Sequence, residues 1–554
     1  MKKFNYRTTV NINDTTMKLG LRVSLPSERQ NVKIRVQAIF MQRQVERRFP
    51  MEVSIVPGDI GMEAWADAEI ELPYIFLKSP KRQVNVIFAI WFGMEEVVLS
   101  DQPFPIKKEL FYRADQKVKR NVGKFMLGTA GLPVLIAKNM IKEKNKTKAM
   151  KSANAEVYRF SGYSYSKRQR HTDYFAVQYQ QAVKQTKVEA NQVLFLSERL
   201  PEKGGNLQRI KDLMEKDSSL RISEFIVTKT IDLLSKKEIR ECAKLCAKAH
   251  VIILEDFYPQ LHSLSLRPET KVVQLWHACG AFKTFGLTRM GKQGGAPQSS
   301  MNHRNYNLAP VSSEAIRGIY AEAFGISKAK VQALGVPRTD VLYDEDYKKK
   351  KIAELYEKYP SLEGKKVVLF APTFRGDGNK DAYYPADAFD VNQFMEYLPE
   401  DTFLIVKHHP FVHQSVNVMS TYENRVMDLT GKDHINDLLL ITELLITDYS
   451  SSVFEAAILD VPMLFYAFDK EEYIESRDFY CDYDNFAPGY VEYDFENMCE
   501  KTQELLLAEG AKKIPEPIIH LKKIQFKKDF LSAIDGHSTE RIATYIKEKM
   551  LQNI

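Results

Sequence analysis

Short runs in which apolar and polar residues alternate fill the first part of the chain: TMKLGLRVSL, VKIRVQAIF, MEVSIV, AEIELPYIF and VNVIFAIWF. They are rich in β-branched and aromatic residues and are separated by turn signals. This period-two pattern predicts a small β-sandwich over residues 1–114. No chemical constellation stands in it, and it reads as an accessory or docking domain. The pattern changes at residues 115–153. Lys117, Lys119, Arg120 and Lys124 precede an apolar run, FMLGTAGLPVLIA, and Lys138, Lys142, Lys144, Lys146, Lys148 and Lys151 follow it. The run is broken by Gly128, Gly131 and Pro133 and is shorter than the roughly 20 residues a bilayer-spanning helix needs. Its basic flanks fit attachment to an anionic membrane surface; the plainer alternative is a solvated linker around one buried helix.

From about residue 154 apolar strands alternate with helical patterns. VLFLS is followed by a loop and the helix LQRIKDLMEK, then FIVT, a Lys- and Leu-rich helix, VIILED and KVVQLWHACG. The alternation restarts near residue 364 with KKVVLFAPT, TFLIVKHHP, ELLITDYSS and PMLFYA. Alternating strands and helices argue for parallel, doubly wound sheets. The expected fold class is therefore α/β, with two doubly wound Rossmann-like domains (154–345 and 346–554) behind the N-terminal sandwich. A length of 554 residues suits about three domains. Two such domains should bind ligand at the C-terminal ends of their strands.

Composition narrows the partners. A net charge of +7 and a pI of about 8.7 suit an anionic ligand or membrane surface but are too weak to imply nucleic acid. The five cysteines, Cys242, Cys246, Cys279, Cys481 and Cys499, form no disulfide framework and fit a reducing compartment. The opening MKKFNYRTTVNIND has two lysines but no apolar core, so no secretory signal is expected there.

Chemistry concentrates where strands end. KHHPFVH, Lys407–His413, closes one apolar strand; LLITDYSSS, Leu444–Ser452, closes another and opens a helix. Small hydroxyls and backbone N–H groups at a helix start make an anion site, so these two ends are expected to hold a diphosphate. Side-chain alternation sends His408 and His409 to opposite faces, leaving one for the cleft; a metal cluster with His413 is the alternative. Ser450 and Ser451 precede Glu455, and a Ser452–Glu455 capping box is the competing reading. Thr373 and Arg375 in FAPTFRGDG follow a strand, where an arginine suits bidentate phosphate contact; a loop arginine paired with Asp377 is the alternative. His277, directly after KVVQLW, faces the crevice and suits general-base work. Lys283 in ACGAFKTFG can hold phosphate, or be a solvated loop lysine. GLTRMGKQ nearly matches a phosphate-binding P-loop, but Gln293 stands where a Ser or Thr would bind magnesium and the strand–helix context is missing.

Together the pieces LWHACGAFKTFG, GVPRTD, FAPTFRGDG, VKHHP and LLITDYSSSVFEAAILDVP resemble, in this order over residues 190–480, the CDP-glycerol glycerophosphotransferase family of bacterial teichoic acid and capsule synthesis. Where the family has Trp-His-Gly and Pro-Leu-Lys, this chain has Trp276-His277-Ala278 and Ala281-Phe282-Lys283, a variant similar to the ribitol phosphate branch. The resemblance implies a GT-B-like pair of domains attached monotopically to the cytoplasmic membrane face. It implies His277 as general base on the acceptor hydroxyl. His409, Arg375, Thr373, Ser450 and Ser451 would hold the donor diphosphate, with Lys283, Asp448 and Glu455 in support and Asp437, in the Asn436-Asp437-Leu438 turn, near the cytidine. The reaction implied is in-line transfer of ribitol phosphate or glycerol phosphate from CDP-ribitol or CDP-glycerol to a lipid-linked polyol-phosphate acceptor, releasing CMP. No dedicated metal cage is visible, and a divalent cation stays open. The competing readings are a GT-B glycosyltransferase using a nucleotide sugar and a non-catalytic scaffold that binds a polyanionic polymer.

Overall fold

The structure, a computed structural model, describes residues 6–12, 16–29, 32–42, 45–58, 61–71, 84–106, 167–201, 203–262, 264–289, 295, 302–376, 381–508 and 516–552. The basic segment at 115–153, Gln293 and Asp377 lie outside them. The fold is mixed α/β with a β-rich N-terminal part.

That part has seven antiparallel strands: β1 (Tyr6–Ile12), β2 (Thr16–Ser24), β3 (Ile34–Gln42), β4 (Val45–Gly58), β5 (Gly61–Glu71), β6 (Val84–Phe92) and β7 (Glu95–Ile106). Their order is β1-β2-β5-β4-β3-β6-β7. The long β4 serves two neighbours: Val45–Met51 pairs with β3 and Glu52–Gly58 with β5. Leu19, Leu21, Phe40, Phe49, Phe88 and Ile90 share one core. The alternation read from the sequence places them there, since successive strand residues face opposite sides. On β6 the opposite parity has a use. Trp91 turns away from that core and is fully buried in the core of the α/β part. A Cβ on Gly318 would stand 2.3 Å from its ring, so glycine leaves the room the indole needs. Lys33 bonds Asp478, and Arg35 bonds Glu322, so the β part is seated on both α/β halves.

The first α/β half carries β8 (Gln192–Ser197), β9 (Arg221–Ile226), β10 (Val251–Leu254) and β11 (Lys271–Gln274), parallel in the order β11-β10-β8-β9. A short pair, β12 (Ala309–Pro310) and β13 (Val331–Gln332), adjoins it through the bridge Val273–Leu308. The second half has six parallel strands: β14 (Lys366–Phe370), β15 (Thr402–Val406), β16 (Val426–Asp428), β17 (Leu444–Thr447), β18 (Met463–Tyr466) and β19 (Tyr490–Glu492). Their order, β16-β15-β14-β17-β18-β19, reverses direction between β14 and β17. Such a switch point opens a crevice at the strands' C-terminal ends. The last helix, Ser538–Met550, puts Ile542, Ala543 and Ile546 into the core of β8 and β10. The chain thus returns to the first half, and the expected 346–554 unit loses its final helix, whose apolar stripe finds its partner there.

The loop after β11 locks the halves together. Phe282 is stacked between Phe479 (4.3 Å) and Phe486 (3.9 Å) of the second half. Tyr480 N–H donates to Phe282 O at 3.0 Å, and Thr284 N–H to Asp478 O at 3.0 Å. Gly280, with φ +67°, lies so close to Phe454 that a Cβ would stand 2.1 Å from the ring. Only glycine satisfies both the turn and the approach. Among the described residues no helix is long and apolar enough to cross a membrane.

Candidate active site

His277 follows β11 by three residues. Trp276, between them, adopts φ +59°, a costly conformation for a bulky residue. Two bonds hold it: Trp276 N–H donates to Gln274 Oε1 at 2.9 Å, and Asn206 Nδ2 donates to Trp276 O at 2.8 Å. The imidazole is thereby turned toward Asp256, beyond the end of neighbouring β10, with Nδ1 3.2 Å from Oδ1. The His277 hydrogen bond holds the Asp256 carboxyl below its usual range. An anionic Asp256 accepts from Nδ1–H, which leaves Nε2 as the lone-pair nitrogen on a side chain 55% exposed.

Behind Trp276 lies a buried aromatic–histidine stack. Phe257 stacks on His262 at 5.1 Å, and His303 meets Trp276 edge-on at 5.8 Å. His262 Nδ1 donates to Asn305 Oδ1 at 2.9 Å, and its buried Nε2 has no partner among the described residues. Burial pushes the His262 pKa down to about 4 and lowers that of His303 in the same direction. Both are neutral at pH 7. The unfolded chain protonates near pH 6.5, so stability is lost as pH falls from about 6.5 toward 4, the unfolded state binding more protons in that window. His262 accounts for about 2 kcal/mol of that loss at pH 5. Urea unfolding at pH 7.5 and 5.0 should show His262→Gln narrowing the wild-type difference by that amount.

The second set of groups stands on β14, β15, β17 and β18. Asp448, after β17, is 1% exposed and is a hub. Its Oδ1 accepts from Thr373 N–H (2.8 Å) and Oγ1–H (2.9 Å), and its Oδ2 accepts from Arg375 Nη1 (2.8 Å). Arg375 also grips Asp469 bidentately, Nε to Oδ2 at 2.7 Å and Nη2 to Oδ1 at 2.8 Å. Burial opposes the guanidinium's charge, and Asp448 and Asp469 outweigh it and hold Arg375 protonated. Tyr449 Oη donates to Asp469 Oδ1 at 3.0 Å, and its ring stacks on Tyr473 at 4.0 Å. Lys283, from the other half, donates to Tyr473 Oη at 2.8 Å.

The two histidines after β15 diverge as their parity requires. His408 faces Tyr384 and Phe370. His409 packs on Phe374 and Phe411, and its Nδ1 accepts from Phe411 N–H at 3.2 Å. Burial, and then the charge of Lys283, lower the His409 pKa. His409 is thus a neutral imidazole whose Nε2–H is the donor, beside a lysine from the opposite half. Ser450 Oγ pairs with Ser452 Oγ at 2.8 Å, and Ser451 is exposed.

Ser452 makes no side-chain cap, and Glu455, 2% exposed, pairs with Arg338 of the first half at 2.6 Å, so the Ser452–Glu455 capping box does not form. Arg338, in GVPRTD, also donates its backbone N–H to Asn206 Oδ1 at 2.8 Å, which joins the His277 support to the second half. Asp437 accepts from Tyr347 Oη at 2.8 Å on the helix Glu345–Lys358, with no bond to the Arg375 cluster. Among the described residues no group of three or more His, Cys, Asp or Glu side chains could hold a metal ion. Asp448, which is buried, and Asp469, 15% exposed, are both taken by Arg375, so this pair does not fit a divalent cation.

A profile described as CDP-Glycerol:Poly(glycerophosphate) glycerophosphotransferase matches residues 142–548. The chain belongs to this family. The glycerophosphotransferase-family relatives include the teichoic acid poly(ribitol-phosphate) polymerase of Bacillus spizizenii, 38% identical over 65% of this chain and 56% of that protein. The teichoic acid ribitol-phosphate polymerase TarL of Staphylococcus aureus is 38% identical over 64% of this chain and 61% of its own length. The chain therefore spans less than two thirds of these curated relatives. The wall teichoic acid polymerase TagF shares its fold, with a TM-score of 0.54 at 19% identity over 69% of this chain and 94% of that one. Asp256, Asp469, Asn206 and Arg338 were the partners that sequence reasoning missed. VIILED carried a signal for Asp256, because two carboxylates close an apolar strand there.

Proposed function

We propose that this family member transfers an alditol phosphate, ribitol phosphate in the first place, from its CDP-activated donor to a hydroxyl of a lipid-linked polyol-phosphate acceptor. The observation that carries the reading is the pairing of two strand-end sets. The His277–Asp256 pair belongs to one parallel sheet; neutral His409 and exposed Ser451 belong to the other, and Lys283 reaches across between them. The ribitol-phosphate relatives support the choice of alditol.

In the proposed reaction the acceptor hydroxyl gives its proton to His277 Nε2 while Asp256 holds Nδ1–H and steadies the imidazolium. The oxygen attacks the alditol-bearing phosphorus in line. A new P–O bond forms, the phosphoanhydride bond breaks, and CMP leaves with the electron pair. Lys283, His409 Nε2–H and the Ser450 and Ser451 hydroxyls meet the developing charge on the diphosphate. Arg375 and Thr373 act through Asp448, holding the β14 and β17 ends in register. We assign the acceptor side to a Rossmann-like unit at 154–345 and the donor side to one beginning at 346, in a GT-B arrangement, with peripheral attachment at the cytoplasmic face aided by residues 117–151.

The test incubates purified protein and a lipid-linked glycerol phosphate acceptor with CDP-ribitol, CDP-glycerol or a nucleotide sugar, and weighs the products. CMP release with a ribitol phosphate mass increment is expected. Faster turnover of the nucleotide sugar would replace this reading with glycosyl transfer.

A further inference from the structure

The helix Pro517–Phe530, PIIHLKKIQFKKDF, has two apolar faces and only one of them is covered. Ile519, Phe526 and Phe530 are buried. Phe526 and Phe530 pack on Phe454, and Phe526 also on Phe486, at 5.3–5.6 Å. At 3.6 residues per turn, Ile518, Leu521 and Ile524 leave the opposite side. They are 56%, 61% and 52% exposed and belong to no apolar cluster among the described residues. A single exposed aliphatic needs no explanation; three on one face of one helix form a patch.

The polar residues identify the occupant. On the helix itself Lys522, Lys523, Lys527 and Lys528 stand against a single acid, Asp529; off it, Lys527 pairs with Asp460 at 2.6 Å and Lys522 donates to Asp484 O at 3.0 Å. Lys522 and Lys527 lie at the two flanks of the patch and Lys528 on the outward face itself. Lys528, exposed on that face, can run its stem beside inserted aliphatics while its ammonium stays at the level of phosphate headgroups. A second copy of the chain is the poorer fit, because a two-fold contact would set the same four lysines against themselves. The helix is also tied to both halves. It packs on the helix Val453–Ile458 of the second half, and Ser312 Oγ of the first half donates to Phe530 O at 2.6 Å.

We propose that the Ile518–Leu521–Ile524 face docks on an anionic lipid surface. It shares with the attachment assigned to residues 117–151 only the membrane itself, and the two are separable. Wild-type chain is floated with vesicles of phosphatidylglycerol and phosphatidylcholine, and with phosphatidylcholine alone. Binding to the anionic vesicles is expected to exceed that to the neutral ones. Ile518→Ser/Leu521→Ser/Ile524→Ser should lower partitioning onto the anionic vesicles by roughly tenfold or more at an unchanged unfolding temperature. The conservative set Ile518→Leu/Leu521→Ile/Ile524→Leu should retain it. Undiminished partitioning of the serine variant, with binding lost only on deletion of 117–151, would overturn this face and keep the attachment. A wild-type dimer that the serine variant dissolves would assign the face to self-association instead and overturn the proposal.

Discussion

Replacing His277 by alanine is expected to lower the rate of CMP release by about 10²–10⁴-fold, the range of a positioned general base. The side chain is 55% exposed, so its truncation opens no cavity and the fold should survive. Donor binding should change little, because the base acts on the acceptor hydroxyl while the donor phosphates are assigned to the second half. The loss should therefore fall on kcat. Asp256→Asn tests the orientation separately. An amide at this position can present its NH₂ to Nδ1 and favour the tautomer that carries the proton on Nε2, where the base needs its lone pair. Its effect should be smaller than that of His277→Ala, roughly 10–10²-fold, because the dyad is open to water, which also solvates the imidazolium. Steady-state CMP release, with donor affinity measured by calorimetry, checks both. Unchanged turnover in His277→Ala would remove the residue from the reaction.

Much of this site is legible in the chain because parallel strands buried on both faces read as unbroken apolar runs, and the first polar residues beyond them face the crevice. QVLFLS, VIIL, KVVQ, KVVLF, TFLIV, LLIT and MLFY are all strands in the structure. Their ends deliver His277, Thr373, His409 and Ser450. Parity alone separates His408 from His409. What the chain does not reveal is which strand end lies beside which. Asp256 reaches His277 because β10 and β11 are neighbours, and Asp469 reaches Arg375 across the sheet from β18 to β14, facts of strand order rather than of local pattern. Glu455 shows the same limit from the other side. Three residues after Ser452 it has the spacing of a cap, yet Arg338, more than a hundred residues away, takes it. Phe282 looks in sequence like a loop residue; it is a wedge between two rings because residues 477–480 run antiparallel to its loop, with a bridge between Lys283 and Phe479. Long-range partners override local propensity wherever two halves meet.

Arg375→Lys is expected to destabilise the protein by about 3–5 kcal/mol, as removal of one member of a buried charge cluster does. Arg375 is 8% exposed, its guanidinium spans Asp448 and Asp469, and Tyr384, Tyr449, Phe468 and Tyr473 surround it with ring centroids at 5.0–5.5 Å. A lysine ammonium is a point charge and cannot reproduce a fork that grips one carboxylate bidentately while reaching a second. One of the two acids would then be left buried and unpaired. The consequence spreads to function through geometry. Asp448 also fixes Thr373 and, because its Oδ1 accepts from Tyr449 N–H, the turn that carries Ser450 and Ser451, so its displacement should loosen the site that meets the donor phosphates. A direct phosphate ligand behaves otherwise. If Arg375 contacted the donor, Arg375→Lys would leave the unfolding midpoint in place and raise KM for the CDP-alditol alone. His409→Ala provides the contrast within the same site: its imidazole is half-buried and among the described residues bonds only a backbone N–H, so it should cost about 1 kcal/mol of stability while weakening the donor. Urea midpoints and KM for the three proteins decide the matter. A stable Arg375→Lys with a raised KM would return the guanidinium to the phosphate and leave Asp448 and Asp469 as its positioning residues.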